Sequence, residues 1–148
     1  RYTLDLPSRP PQPSVPPDGL IAALGGPAPL DVRKSRDWFV VYGTAEQVRD
    51  LSPDFERLAA VGDMVIVTGP GPWGDDAGVD FVSRFFAPGK GIAEDPVTGS
   101  AHSTLVPYWA ERLGRTDLTA RQISARGGHL GCALQGDRVL LTGGTALY

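Results

Sequence analysis

Among 148 residues there is one cysteine, one methionine and no asparagine. A single cysteine excludes an intrachain disulfide framework. Even with both histidines, Cys and His supply too few side chains for a four-ligand zinc site, and no ligand pair has zinc spacing. Without asparagine there is no glycosylation sequon. Positive charge is scarce: 14 Lys and Arg against 17 Asp and Glu leave a net charge of -3. That balance argues against a duplex nucleic-acid binder, which wants a basic face. The longest apolar runs are about five residues, such as 38–42, far short of the ~20 of a membrane helix. No targeting segment is recognisable, so the expectation is a cytoplasmic protein with neither nucleic acid nor membrane as partner. The chain begins at Arg1 and its only Met is Met64, so it reads as a piece of a longer protein.

Glycine and proline are plentiful, 19 and 14, and 41% of residues are hydrophobic. Glycine and proline stay below the ~25–30% that marks low-complexity disorder. The length suits one domain, 1–148, with many turns. Residues 2–6 alternate like a strand. The proline-rich run 7–17 reads as a stiff connector, since proline supplies no backbone donor for a helix or central strand. Asp18 is placed to cap a short helix over 19–24. Buried strands are expected at 38–42, 64–68 and 79–86, the last with Phe81 and Phe85 on one face. Thr44 and Gln47 have capping-box spacing for a helix to about residue 51, and Ser52 and Pro53 open another through residue 60.

Residues 100–113 form the best helix, stopped by Gly114. Ala101, Leu105, Trp109 and Leu113 make one apolar stripe, and Val106 and Ala110 widen it, which places this helix inside the domain. Strands follow at 118–125, 129–134 and 138–142, with a fourth expected at 145–148. Strands in groups with few helices predict an α+β class, a curved mixed sheet around the 100–113 helix, rather than a doubly wound fold.

Gly69, Gly71 and Gly74 match GxGxxG, but Pro70 and Pro72 interrupt it and no amphipathic helix follows, so it reads as a surface turn. Ser100 and His102 point about 200° apart on a helix, which argues against a hydrolase triad. The strongest candidate is the run EDPVTGSAH over 94–102. Its carboxylates precede a turn of small residues, and the helix it opens carries roughly half a positive charge at that end. Open backbone N–H groups there would hold a substrate carboxylate, with Asp95 beside it for acid/base work. The competing reading is structural: Thr98 or Ser100 capping the helix and Asp95 capping the turn.

The run EDPVTGSAH, with SRFFAP at 83–88, PYWAERLG at 107–114, QISARGG at 122–128 and LDLP at 4–7, resembles the PhzF-like phenazine-biosynthesis isomerase family. The resemblance implies a diaminopimelate-epimerase-like fold, in which two lobes each wrap a mixed sheet or barrel around a central helix. It implies catalysis without metal or organic cofactor, shifting a proton on a small carboxylate-bearing substrate. Asp95 matches the second lobe's acidic residue and Ser100 its ligand-contacting serine. Thr98, Gly99, Ser100 and Ala101 would hold the substrate. The family's main acid/base Glu, and a His, belong to a first lobe that this chain does not contain. The chain is therefore expected to need that lobe, or a second copy, as partner, and to be weakly active or inactive alone. The alternative is a non-catalytic module that binds a small carboxylate or a partner.

Overall fold

The computed structural model describes residues 2–61 and 64–143. In chain order the elements are β1 (Tyr2–Pro7), β2 (Gln12–Pro13), α1 (Leu20–Leu24), β3 (Asp31–Lys34), β4 (Trp38–Val41), α2 (Ala45–Arg49), α3 (Phe55–Val61), β5 (Val65–Pro70) and β6 (Phe81–Ala87). A 3-10 turn (Pro88–Lys90), β7 (Ile92–Asp95), α4 (His102–Leu113), β8 (Asp117–Gln122), β9 (Gly128–Gln135) and β10 (Arg138–Gly143) follow. The strands form one mixed sheet in the order β1-β10-β9-β8-β6-β5-β4-β3-β2, with β7 on β6. Among the described residues, only β4 with β5 and β6 with β8 run parallel.

This corrects the expected sheet or barrel around a central helix. The sheet is open, ending at β1 and β2, and helices cover both of its faces. The cause lies in strands that are apolar at consecutive positions. Side chains alternate across a strand, so β4 sends Phe39 and Val41 to one core and Trp38 and Val40 to another. Strand β5 splits Ile66 from Val65 and Val67, and β6 splits Phe81 and Phe85 from Val82 and Phe86. Leu105 and Trp109 of α4 fill the first core; Leu20 and Leu24 of α1, Val48 of α2 and Leu58 of α3 fill the second. Each large apolar side chain contributes roughly 1.5–3 kcal/mol when buried. A sheet packed around α4 alone would leave the second of these sets in water.

Helix α4 is buried from His102 through Ala110. Ala101, Leu105 and Trp109 of the expected stripe are buried, but Leu113 is 37% exposed at the helix end. Gly114 ends the helix at φ 69, a left-handed geometry that favours glycine. Trp109 stacks on Phe81 and donates its indole N–H to Thr68 Oγ1 at 3.0 Å. Pro107 has no N–H for the Ser103 carbonyl, and the N–H of Arg9 in the proline-rich connector donates to that carbonyl at 2.7 Å. The connector is not wholly irregular, because Gln12–Pro13 pairs with β3.

Thr44 caps α2 as expected, accepting from the Gln47 N–H at 3.1 Å. Asp18 caps nothing in α1, whose N-cap is Gly19 at φ 89. The next helix starts at Phe55, later than expected, and Asp54 accepts from the Arg57 N–H. The strand expected to reach residue 125 stops at Gln122, and that expected at 145–148 lies outside the described residues. After β5 no helix follows the GxGxxG match. A Cβ on Gly71 would meet the Val79 carbonyl oxygen at 1.9 Å, so backbone packing requires that glycine.

Candidate active site at the N-terminus of the buried helix

Glu94 and Asp95 are neighbours on β7 and so face opposite ways. Glu94 pairs across from Phe86, and the Arg84 guanidinium takes it in two hydrogen bonds of 2.9 and 2.8 Å. The same guanidinium donates to the carbonyls of Val48, Arg49 and Leu51 at the end of α2. Glu94 therefore belongs to the framework. Asp95 pairs across from Phe85, whose side chain faces the α4 core.

The turn that follows is tied from within and from β8. The Thr98 hydroxyl donates to Asp95 Oδ2 in a short contact. The Thr98 N–H donates to Gln122 Oε1 at 2.7 Å. Gln122 Nε2 donates to the Asp95 carbonyl at 2.9 Å and to Thr98 Oγ1 at 3.1 Å. Ser124 donates to the Pro96 carbonyl. A Cβ on Gly128 would meet Val97 Cγ2 at 2.3 Å, so the second glycine of RGG admits this turn against β9.

His102 Nδ1 lies 2.8 Å from the Thr98 carbonyl, which can only accept, so Nδ1 carries the proton. The ring is fully buried and burial pushes its pKa down to about 4, partly offset by that carbonyl. Below its unfolded pKa near 6.5 the unfolded chain takes up this proton and the folded chain resists it, so stability falls as pH drops toward 4. Urea unfolding at pH 7 and pH 4 is expected to show about 3 kcal/mol more loss in the wild type than in His102→Gln. Equal losses in the two proteins would refute a buried neutral histidine.

The N–H groups of Gly99, Ser100 and Ala101 meet no acceptor among the described residues, whereas those of His102, Ser103 and Thr104 bond back to the carbonyls of 99–101. Ser100 Oγ accepts from Arg36 Nη2 at 3.3 Å. Gly99, Ala101 and Thr98 are buried; Asp95 and Ser100 are half-buried. The fold thus joins Asp95 to Thr98 directly, but Ser100 bonds to Arg36 and not to Asp95. No Ser-His-Asp triad forms, and His129 is exposed, 3.9 Å from Asp76. Neither Arg36 nor the role of Gln122 was legible in the sequence: Gln122 opens the QISARGG run, and Arg36 belongs to no motif. A groove of about 750 Å³ runs along Pro107, Ala110, Glu111 and Gly114 toward the other end of α4. It holds none of these polar groups, so chemistry and not volume marks the site. Among the described residues no group of three or more His, Cys, Asp or Glu could hold a metal, and no helix is long and apolar enough to cross a membrane.

Fold and site together define an α/β domain with a carboxylate beside backbone donors, at a buried helix start, that meet no acceptor among the described residues. The chain belongs to the phenazine biosynthesis-like family, whose model matches residues 20–148. It is 45% identical over 145 residues to an uncharacterized isomerase of Pseudomonas aeruginosa, covering 98% of this chain and 54% of that protein. It is 48% identical over 149 residues to a second uncharacterized isomerase of the same organism, covering 99% and 55%. A crystal structure of a phenazine biosynthesis protein of the PhzF family from Enterococcus faecalis superposes with a TM-score of 0.89 at 42% identity, over 99% of this chain and 55% of that one. The chain spans about half the length of these relatives.

Proposed function

We propose that this chain is one lobe of a PhzF-like isomerase or epimerase that moves a proton on a small carboxylate-bearing substrate. The observation that carries the reading is one turn holding both ingredients: the Asp95 carboxylate, and the open N–H groups of Gly99, Ser100 and Ala101. Membership of a family that includes proteins described as isomerases supports it. In this reaction Asp95 takes a proton from a carbon of the substrate, the C–H electron pair spreads into the bound carboxylate, and the proton returns at another position or face. Backbone donors preset at the helix start would stabilise that developing charge. Arg36, bonded to Ser100, adds positive charge at the same end.

Proton transfer at two faces or positions needs a second acid/base group. We assign it to the half of the relatives' length that this chain does not span. A full-length protein carrying this chain, kept in D2O with small 2-hydroxy, 2-amino and 2-enoic acids, is expected to introduce deuterium at carbon in at least one of them. The 148-residue chain alone is expected to introduce little or none. Carboxylates that shift the amide signals of 99–101 in the full-length protein, with no carbon exchange in any acid, would overturn the enzyme in favour of a binding module.

A further inference from the structure

Gln122 is 1% exposed, and its side-chain amide is spent on two residues of the candidate site. The orientation of that amide follows from its partners. The Thr98 N–H can only donate and the Asp95 carbonyl can only accept, so Oε1 faces the first and Nε2 the second. Nε2 has one further hydrogen, and it is directed at Thr98 Oγ1. A hydroxyl has a single proton. Because Oγ1 receives a hydrogen from Gln122, its own proton is turned onto Asp95 Oδ2. Asp95 Oδ1 makes no hydrogen bond to any described residue.

We infer that Gln122 is a positioning residue for Asp95: acting through the Thr98 hydroxyl, it commits Oδ2 as a standing acceptor and leaves Oδ1 as the oxygen that exchanges the substrate proton. The inference rests on Asp95 being the acid/base group. It adds which oxygen works and what holds the other one. A donor is required at position 122, so glutamine cannot be replaced by its isostere glutamate. A glutamate would keep the acceptor for the Thr98 N–H but bring a second acceptor against Thr98 Oγ1 and the Asp95 carbonyl. The Thr98 proton would then turn away from Asp95.

Nuclear magnetic resonance on the labelled full-length protein tests this without turnover. In the wild type the Thr98 hydroxyl proton is expected as a slowly exchanging signal coupled to Asp95 Cγ. A wild-type Thr98 proton directed at Gln122 instead would overturn the inference before any variant is made. In Gln122→Glu the Thr98 amide is expected to stay protected, as its acceptor remains, while the hydroxyl coupling to Asp95 disappears and exchange with water rises about tenfold or more. Gln122→Met, which removes all three bonds and keeps the bulk, is expected to lose both kinds of protection. An unaltered hydroxyl signal in either variant would remove Gln122 from the role and leave Asp95 in place. Conversely, a full-length Asp95→Asn protein that still turned over would remove the acid/base reading and leave the hydrogen-bond signature standing.

Discussion

Asp95→Asn is expected to lower turnover of the full-length protein by about 10²–10⁴-fold, the usual contribution of a positioned acid/base group. Asparagine has the shape of aspartate, and its amide oxygen can accept from the Thr98 hydroxyl as Asp95 Oδ2 does. The turn from Asp95 to Thr98 is further held by Gln122 through the Asp95 carbonyl and the Thr98 N–H, neither of which the substitution touches. Thermal unfolding should therefore move little, by roughly the ±0.5 kcal/mol of a substitution that breaks no buried network. What the variant lacks is an oxygen that can accept a proton at neutral pH. Deuterium wash-in rates and unfolding midpoints on the same samples separate the two effects. Turnover close to wild type would exclude Asp95 from the chemistry; turnover lost together with the fold would make it a structural residue.

Arg84→Ala is expected to cost about 3–5 kcal/mol of folding stability, the range for breaking a buried ion pair by removing one partner. The Arg84 and Glu94 side chains are 12% and 19% exposed, so this pair is far from the surface class worth about 0–1 kcal/mol. Removing the guanidinium leaves a carboxylate in poor solvent and three carbonyls of the α2 end without their donor. It also uncovers the Phe86 ring, over which the guanidinium lies at 4.9 Å. Adding Glu94→Gln to the alanine variant should recover part of the loss, since a neutral amide is less costly to leave unpaired. Urea unfolding of the single and double variants measures both. A loss below about 1 kcal/mol for the single variant would assign the pair to the solvated surface class.

Glu94 and Asp95 are adjacent carboxylates in different surroundings, the first paired with Arg84 and the second with Thr98. EDPVTGSAH presents Glu94 and Asp95 as a pair, and alternation along a strand implies that they part to opposite sides. Which side holds a cation is decided by Arg84, on a neighbouring strand. Strand β7 had no signal of its own, because Ile92 to Asp95 is short and neither alternating nor wholly apolar. Strand β3 went unseen for the same reason, since all four residues are half-buried and three are charged. The α4 stripe was legible because 3.6-residue periodicity is written into consecutive positions, and it failed only at Leu113, where the helix leaves the core. The open sheet was not legible: continuous apolar strands signal burial on both faces, but not whether a closed interior or a second helix layer provides it.

By itself the sequence determined the elements with strong local signals: the apolar strands through Val40, Val67 and Phe85, the Thr44 cap, the burial of α4 and its stop at Gly114, though the helix starts at His102, with Ala101 as N-cap and no side-chain cap, and not at Ser100. It also determined the family, through motifs that run nearly the length of the chain. Tertiary structure alone decided that helices cover both faces of the sheet, that Arg84 neutralises Glu94, and that Gln122 and Arg36 reach the turn around Asp95. The reason is physical: local spacing sets the direction of a side chain, whereas its partner depends on how strands cross in space. Gln122 bonds to Thr98 over 24 residues of chain and Arg36 to Ser100 over 64, separations at which no short-range pattern constrains who meets whom.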